Sequence, residues 1–319
     1  MITIVVTILG LAGSVRSQAL SIYQIQYSTD VDGTSPENGN IVDCLGGIVI
    51  HKSPATLRPR LTLYDPNYPD GWGGIIAKDT YSTGAFDDVN VGDWVAFTNM
   101  EVEDFKGTTF LQYKSENDPN FTIVSRNNPL PGPLPVTVDK IAAPIEGIDQ
   151  WVVADHNAEK YEAMLVKVVD VNVKDIGYGK AYDNYILASN TDPNLICWAS
   201  DYMNEDRDGI YHPYVEPGQK FCGVAGVIEQ YAGEKEGIYY NYYQLLTTTT
   251  SDFTIEQPSD LNDDCGVDFA DFALFAYHWL TDVKCTEPNW CGGADLTKNR
   301  SVDMFDLKEF SEHWLEGKY

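Results

Sequence analysis

Through residue 255 the apolar positions come in short runs rich in Val, Ile, Tyr and Thr, broken by polar and Gly-rich stretches. β-Branched and aromatic side chains pack well on a pleated surface and lose rotamer freedom in a helix, so these runs predict strands. The longest are residues 40–51 and 161–174, and each opens one half of the chain. In the first half there follow a Gly-marked run, VGDWVAF at 91–97, a charged turn, EDFKG at 103–107, and the runs TTFLQ at 108–112 and FTI at 121–123. The second half repeats this weakly, with PGQKFCG at 217–223, a turn at Tyr231-Ala232-Gly233, YYQLL at 242–246 and FTI at 253–255. A long first strand, a Gly-marked fourth strand, a hairpin and a closing strand predict a five-stranded Greek-key barrel, twice. The period changes only near the end, where Phe272, Phe275 and Trp279 recur at helical spacing and predict a helix over 269–280.

Pro129, Pro131, Pro133 and Pro135 form a cluster that neither a helix nor a central strand accepts. They predict a stiff extended linker. A second junction lies near Pro258. The expected organisation is a leader over 1–19, a first barrel over 20–127, a linker over 128–136, a second barrel over 137–257 and a small all-α domain over 258–319. The leader has two readings. Its apolar run, MITIVVTILGLAG, is too short to span a bilayer and precedes Ser17-Gln18-Ala19, which suits a secretory signal cleaved before Leu20. No Lys or Arg precedes that run, however, and Ile2, Ile4, Val5, Val6 and Ile8 favour a strand. Retained, the strand suits donation to an open sheet edge of another copy.

Oxygen-bearing side chains recur at fixed spacing in the last domain. Asp260, Asn262, Asp264, Asp268 and Asp271 occupy positions 1, 3, 5, 9 and 12 of a loop, with Gly266 offering its carbonyl at position 7 and Val267 turned inward at position 8. Thirty-five residues later Asp295, Thr297, Asn299, Ser301, Asp303 and Asp306 fall at positions 1, 3, 5, 7, 9 and 12, with Val302 at position 8. That alternation wraps hard oxygens around one Ca2+. A helix cap alone needs a single Asp, so a repeat in one register asks for more. Two Ca2+ sites are expected, the second weaker, because Thr297 and Asn299 replace stronger ligands. Position 6 holds Cys265 and Arg300 where Gly commonly makes the sharp turn, and position 12 is Asp rather than the longer Glu. A looser match, N-x-D-x-D-G at 204–209, has no acid at position 12 and reads as a solvated turn.

Charge narrows the function classes. The 319 residues carry a formal net charge of -27, with 48 Asp and Glu against 21 Lys and Arg. Such a chain repels phosphate backbones and anionic lipid, which argues against a nucleic-acid partner, and suits Ca2+, cationic surfaces or neutral glycans. Six cysteines without paired CxxC spacing argue against zinc and for disulfides in an oxidising compartment. Cys285 and Cys291 share one short loop and can bridge, Cys197 and Cys222 lie on what read as neighbouring strands, and other pairings stay open. The chain has no GxSxG, HExxH, GxxxxGK[ST] or dinucleotide turn, and is read as a non-enzyme. Tyr239-Tyr240-Asn241-Tyr242-Tyr243 alternates across a strand, leaving some rings to meet a sugar or an interface, or to pack at a barrel edge.

Two resemblances add to this. Residues 25–30 (IQYSTD), 33–36 (GTSP) and 45–49 (LGGIV), with the GDWV run at 92–95, are similar to the opening and fourth strand of secreted bacterial OB-fold domains, which often accompany extracellular hydrolases. The likeness covers residues 20–126 and extends more faintly over 136–256. The duplicated loop and helix, each helix ending His-Trp-Leu, resembles the type I dockerin module in its cysteine-bearing Planctomycetes form. That resemblance implies Ca2+ and a cohesin-like or other cell-surface partner. The expectation is therefore a mainly β, secreted or cell-surface protein: two tandem OB-like Greek-key barrels plus a C-terminal all-α dockerin-like calcium-loop domain, with no membrane span. Its expected role is structural, self-associating into extracellular fibres by strand donation and calcium-module contacts. The alternatives are a glycan-binding or scaffold-docking accessory of an extracellular complex, and an accessory OB module of a secreted nuclease system, which the charge opposes.

Overall fold

The structure, a computed structural model, describes residues 18–53, 59–113, 120–177, 184–201, 203, 215–255, 257–262, 264–280 and 284–315. Residues 1–17 of the leader expected over 1–19, and the loop at 204–209, lie outside the described residues. The chain is mainly β, as expected, with strand outweighing helix by 40% to 12%.

The first sheet contains β1 (Ile41–Lys52), β2 (Arg60–Tyr64), β3 (Gly74–Lys78), β4 (Trp94–Phe105), β5 (Thr108–Gln112) and β6 (Phe121–Ser125). Their order is β1-β2-β3-β5-β4-β6, and β1 also pairs with β4, closing a five-strand barrel with β6 appended. Both β1 and β4 are 12 residues long and serve more than one neighbour. Register shifts between Val42 and Cys44 and between Cys44 and Gly47 bend β1 around the barrel. Gly46 sits at that bend with φ 72, where a Cβ would fall 1.6 Å from the Val95 carbonyl oxygen, so only Gly allows the approach. A short helix, α1 (Ile22–Gln26), is capped by Ser21 and sinks Ile22 and Ile25 fully into the barrel core beside Val49 and Leu63.

The second sheet contains β7 (Leu134–Val136), β8 (Ile145–Glu146), β9 (Gln150–Val152), β10 (Leu165–Ile176), β11 (Asn184–Ser189), β12 (Ile196–Ser200), β13 (Lys220–Lys235), β14 (Ile238–Leu246) and β15 (Phe253–Ile255). Strands β10 to β14 repeat the pairing order of β1 to β5. Here β10 pairs with β13, and β12 runs parallel to β14 as β3 does to β5. Two local expectations change. The proline-rich linker does not stay a free spacer, because its last three residues form β7, parallel to β10. The turn expected at Tyr231-Ala232-Gly233 is strand, since β13 runs on to Lys235. The chain reverses instead at Glu236 (φ 54) and Gly237 (φ 82), and at Lys106 (φ 56) and Gly107 (φ 89) in the first half. A two-residue hairpin needs positive φ at both central positions.

The two barrels bury polar groups between them. The Glu162 carboxylate accepts from the Thr109 N–H (3.0 Å) and the Gln26 side-chain amide (3.3 Å) of the first barrel. Glu159 accepts from the Tyr243 hydroxyl (2.6 Å), and His156 Nδ1 lies 2.7 Å from that hydroxyl. The Thr108 hydroxyl donates to the Gln230 carbonyl (2.7 Å), and the Trp72 N–H to the Lys160 carbonyl (2.6 Å). Of the tyrosine run, Tyr239 is exposed while Tyr242 and Tyr243 are buried, so these two serve packing and the barrel junction.

The C-terminal residues form α2 (Phe269–His278) and α3 (Met304–Glu312) around Val267, Phe275, Cys285, Ala294, Val302 and Phe310. Helix α2 ends before the expected Leu280, which takes φ 50. Among the described residues no helix is long and apolar enough to cross a membrane. Disulfides join Cys285 to Cys291, as the spacing allowed, and Cys222 to Cys265. The pairing of Cys197 with Cys222 is thereby overturned. Barrel closure puts β14 between β12 and β13, so the strands carrying these cysteines are not neighbours. Cys44 and Cys197 are buried free thiols, pushed up to about 12 by burial. Two disulfides fit an oxidising compartment.

Burial raises the Glu159 carboxyl to about 8, and burial with the neighbouring Glu159 charge holds Glu162 well above the carboxylate range. Unfolding lets both acids ionise at ordinary values, so the unfolded chain binds fewer protons. Stability is therefore expected to fall as pH rises from about 4.5 to about 8. Glu162→Gln, neutral throughout, is expected to flatten that loss in urea-unfolding series across the range; a variant profile as steep as the parent's contradicts it.

Candidate metal centre

The two loops before α2 and α3 are held by the same backbone pattern. Position 1, Asp260 or Asp295, accepts from the N–H groups of positions 5 and 6. These are Asp264 (3.2 Å) and Cys265 (2.6 Å) in the first loop, and Asn299 (3.0 Å) and Arg300 (2.8 Å) in the second. Position 12 reaches back across each loop. Asp271 accepts from the N–H groups of Leu261 (2.9 Å), Asn262 (3.2 Å) and Asp268 (2.8 Å). Asp306 accepts from those of Thr297 (2.8 Å) and Asp303 (2.9 Å). Position 6 takes the left-handed conformation in both loops, Cys265 at φ 68 and Arg300 at φ 82, so the sharp turn forms without Gly. Position 9 caps each helix: Asp268 accepts from the Ala270 N–H (2.7 Å) and Asp303 from the Phe305 N–H (2.8 Å).

A reciprocal contact joins the two units. The Leu315 N–H donates to the Val267 carbonyl (2.8 Å) and the Leu280 N–H to the Val302 carbonyl (3.2 Å). Val267 and Val302, the two position-8 residues, are buried. Phe275 and Phe310 stack obliquely between the helices at 5.2 Å.

The donor set fits a hard divalent cation. Asp260, Asp271, Asp295 and Asp306 are buried, and among the described residues none of the four is paired with a Lys or Arg. Buried carboxylates without a counter-charge are costly, and backbone N–H donors offset only part of that cost. Burial accordingly pushes the Asp260 carboxyl above its usual range. In the first loop Asp260, Asp264 and Asp271 bring carboxylate oxygens within 4.8 Å of one another. No such trio gathers in the second loop among the described residues, where the Thr297 hydroxyl donates to Asp306 (2.8 Å) and the Ser301 hydroxyl to Asn299 (2.8 Å). The loops thus bring together positions 1, 5 and 12 in the first unit and leave Asp268 and Asp303 chiefly as helix caps. Cys222 and Cys265 lie beside Asp260, but as a disulfide they offer no thiolate.

Cys222 is the residue of this site that sequence reasoning missed. It lies in β13, and its bond to Cys265 ties position 6 of the first loop to the second barrel. The lone signal was an unusual residue at position 6. No protein-family model matches the chain, and no curated protein matches it.

Replacing Cys222 by Ala together with Cys265 by Gly removes the tether and keeps the turn. On the calcium reading proposed below, calorimetry is expected to show one affinity falling roughly tenfold while the other is unchanged, since only the first loop loses its anchor. Equal affinities in variant and parent would show that the tether does not shape the site.

Proposed function

We propose that this chain is a non-catalytic, secreted building block: two OB-like barrels carrying a dockerin-like module that Ca2+ orders. The metal sits in two loops, one of Asp260, Asn262, Asp264, Gly266, Asp268 and Asp271, the other of Asp295, Thr297, Asn299, Ser301, Asp303 and Asp306. The observation that carries the reading is the pair of loops with buried aspartates at positions 1 and 12 in one hydrogen-bond register, none of them ion-paired with a Lys or Arg among the described residues. A divalent ion supplies the charge they need. The second loop binds more weakly because its positions 3 and 5 are Thr297 and Asn299.

Order in the loops is what gives the module a partner surface. Phe269, Tyr277, Met304 and Phe305 are each at least 66% exposed on the two short helices, more apolar surface than so small a unit leaves open by chance. In this reading it meets a second copy or a cohesin-like cell-surface protein, and a donated leader strand extends the contact into fibres. The cleft between the barrels favours a second reading, a glycan-binding accessory.

Calcium titration of the intact protein is expected to show two sites of unequal affinity, with Asp260→Ala abolishing the tighter one. Chelator is expected to lower the melting temperature of the helical module. Thermal stability indifferent to chelator would remove the calcium reading. Negative-stain images of native material are expected to show calcium-dependent assemblies; strictly monomeric particles with and without calcium would remove the assembly reading alone.

A further inference from the structure

Barrel closure leaves β6 with an open edge. Among the described residues β6 pairs with β4 and with no other strand. The Thr98 N–H donates to the Asn120 carbonyl, and bonded pairs alternate along an antiparallel ladder, so Thr122 faces β4 opposite Ala96. Phe121 and Ile123 therefore turn their N–H and C=O groups the other way, to the side without a strand. Exposed edges are usually blunted by Lys, Pro, an inward charge or a bulge. Phe121–Ser125 contains no Pro and no charged residue, in a chain where 22% of residues are charged. Its one guard is a register slip at Val124, which leaves Phe121 to Ile123 regularly paired. The other terminal strands are poorer templates: β7 and β15 have three residues each, β7 with Pro135 among them, and β8 has two.

The inner face of β6 is incomplete as well. Phe121 and Ile123 pack against the barrel core, with the Phe121 ring centre 5.8 Å from that of Phe86 and 6.2 Å from that of Phe97. Both side chains nonetheless stay half-buried, while Thr122 and Val124 are exposed on the other face. The edge asks for a strand with branched apolar side chains on one face and mostly small polar ones on the other. Residues 2–8, ITIVVTI, have that alternation: Ile2, Ile4, Val6 and Ile8 recur with period two, and Thr3, Val5 and Thr7 fall between them. They too carry no charge. Ten positions after Ile8 the described chain begins at Gln18, and Leu20 is fixed to the barrel. Its N–H donates to the Asp43 carbonyl and its carbonyl accepts from the Leu45 N–H, each at 2.8 Å. Ten residues of tether span at most roughly 35 Å, enough to reach a neighbouring molecule.

We propose that residues 2–8 of one copy add as a strand to the free edge of β6 in a second copy, bonding to the outward backbone groups of Phe121 and Ile123. The apolar face of the added strand covers the open flank of Phe121 and Ile123, and its threonines lie beside Thr122. The proposal rests on the strand-donation reading and names its acceptor; it does not use the calcium loops.

The test uses the full chain in calcium-containing buffer, its N-terminus verified by intact mass. Ile123→Pro removes an outward N–H and no bond to β4, and is expected to raise the concentration at which assemblies form at least tenfold in analytical ultracentrifugation. Ile4→Asp with Val6→Asp, placed outside the barrel, is expected to do the same and guards against a folding defect in the first variant. Thr122→Cys protein mixed with Thr3→Cys, Val5→Cys or Thr7→Cys protein is expected to give a mixed covalent dimer on oxidation in at least one of the three mixtures. Assemblies that ignore both substitutions and give no mixed dimer would seat the donated strand on another edge, overturning this proposal and leaving donation standing. A crosslink formed only when both cysteines are in one chain would seat the strand on its own barrel and also overturn it. A mature chain that begins at Leu20 would remove donation itself, and the proposal with it.

Discussion

Ring closure, the pairing of a long first strand with a long fourth strand, is the constraint on which the rest of the molecule depends. Where β1 meets β4 and β10 meets β13, each barrel loses its free edges and gains an enclosed core. The outer surfaces then become available for other work. The β4–β5 hairpin of the first barrel can lean on β13 of the second, so that the Ala232 N–H donates to the Lys106 carbonyl and the Thr108 hydroxyl to the Gln230 carbonyl. The wall so formed creates both the buried carboxyl pair and the cleft beside it.

Those two features stand in contrast. At the junction, Glu162 is driven between Gln26 and Thr109 with no ion-pair partner among the described residues, and protonation is how such a group lowers its cost. A short distance along the interface, Lys78 and Lys106 lie over aromatic faces. A strongly acidic chain thus places neutralised acids where its halves fuse and bases where they part. Gly74 shows how close the fusion is, since a Cβ there would lie 2.4 Å from the Ala163 backbone.

The C-terminal module obeys a different economy. Its core is small, with Phe275 and Phe310 at the centre, and a unit of this size needs staples. Two are covalent, Cys285–Cys291 within it and Cys222–Cys265 to the second barrel. The third is the loop chemistry itself, in which aspartates order the backbone and a cation would complete the set. Anchoring position 6 to β13 makes the first loop a continuation of the barrel rather than a separate bead, and this bears on how rigidly any bound partner is presented.

Local chemistry made much of this legible in the sequence. Runs of β-branched and aromatic residues announced the strands, repeated FTI segments the two appended strands β6 and β15, and spaced oxygens the two loops, because each signal depends on near neighbours in the chain. What depended on distant neighbours was not legible. No local rule says that Cys222 meets Cys265 rather than Cys197, since strand adjacency follows from how the ring closes. Nor does any mark Glu162, one acid among 48, as the residue buried at the junction, or Gln230 as a buried amide bonded to Asn241 there. The sequence by itself determined the elements and the oxygen register, through backbone preference and short-range spacing. Only the tertiary structure decided which surfaces meet, because burial and charge pairing are properties of the packed chain.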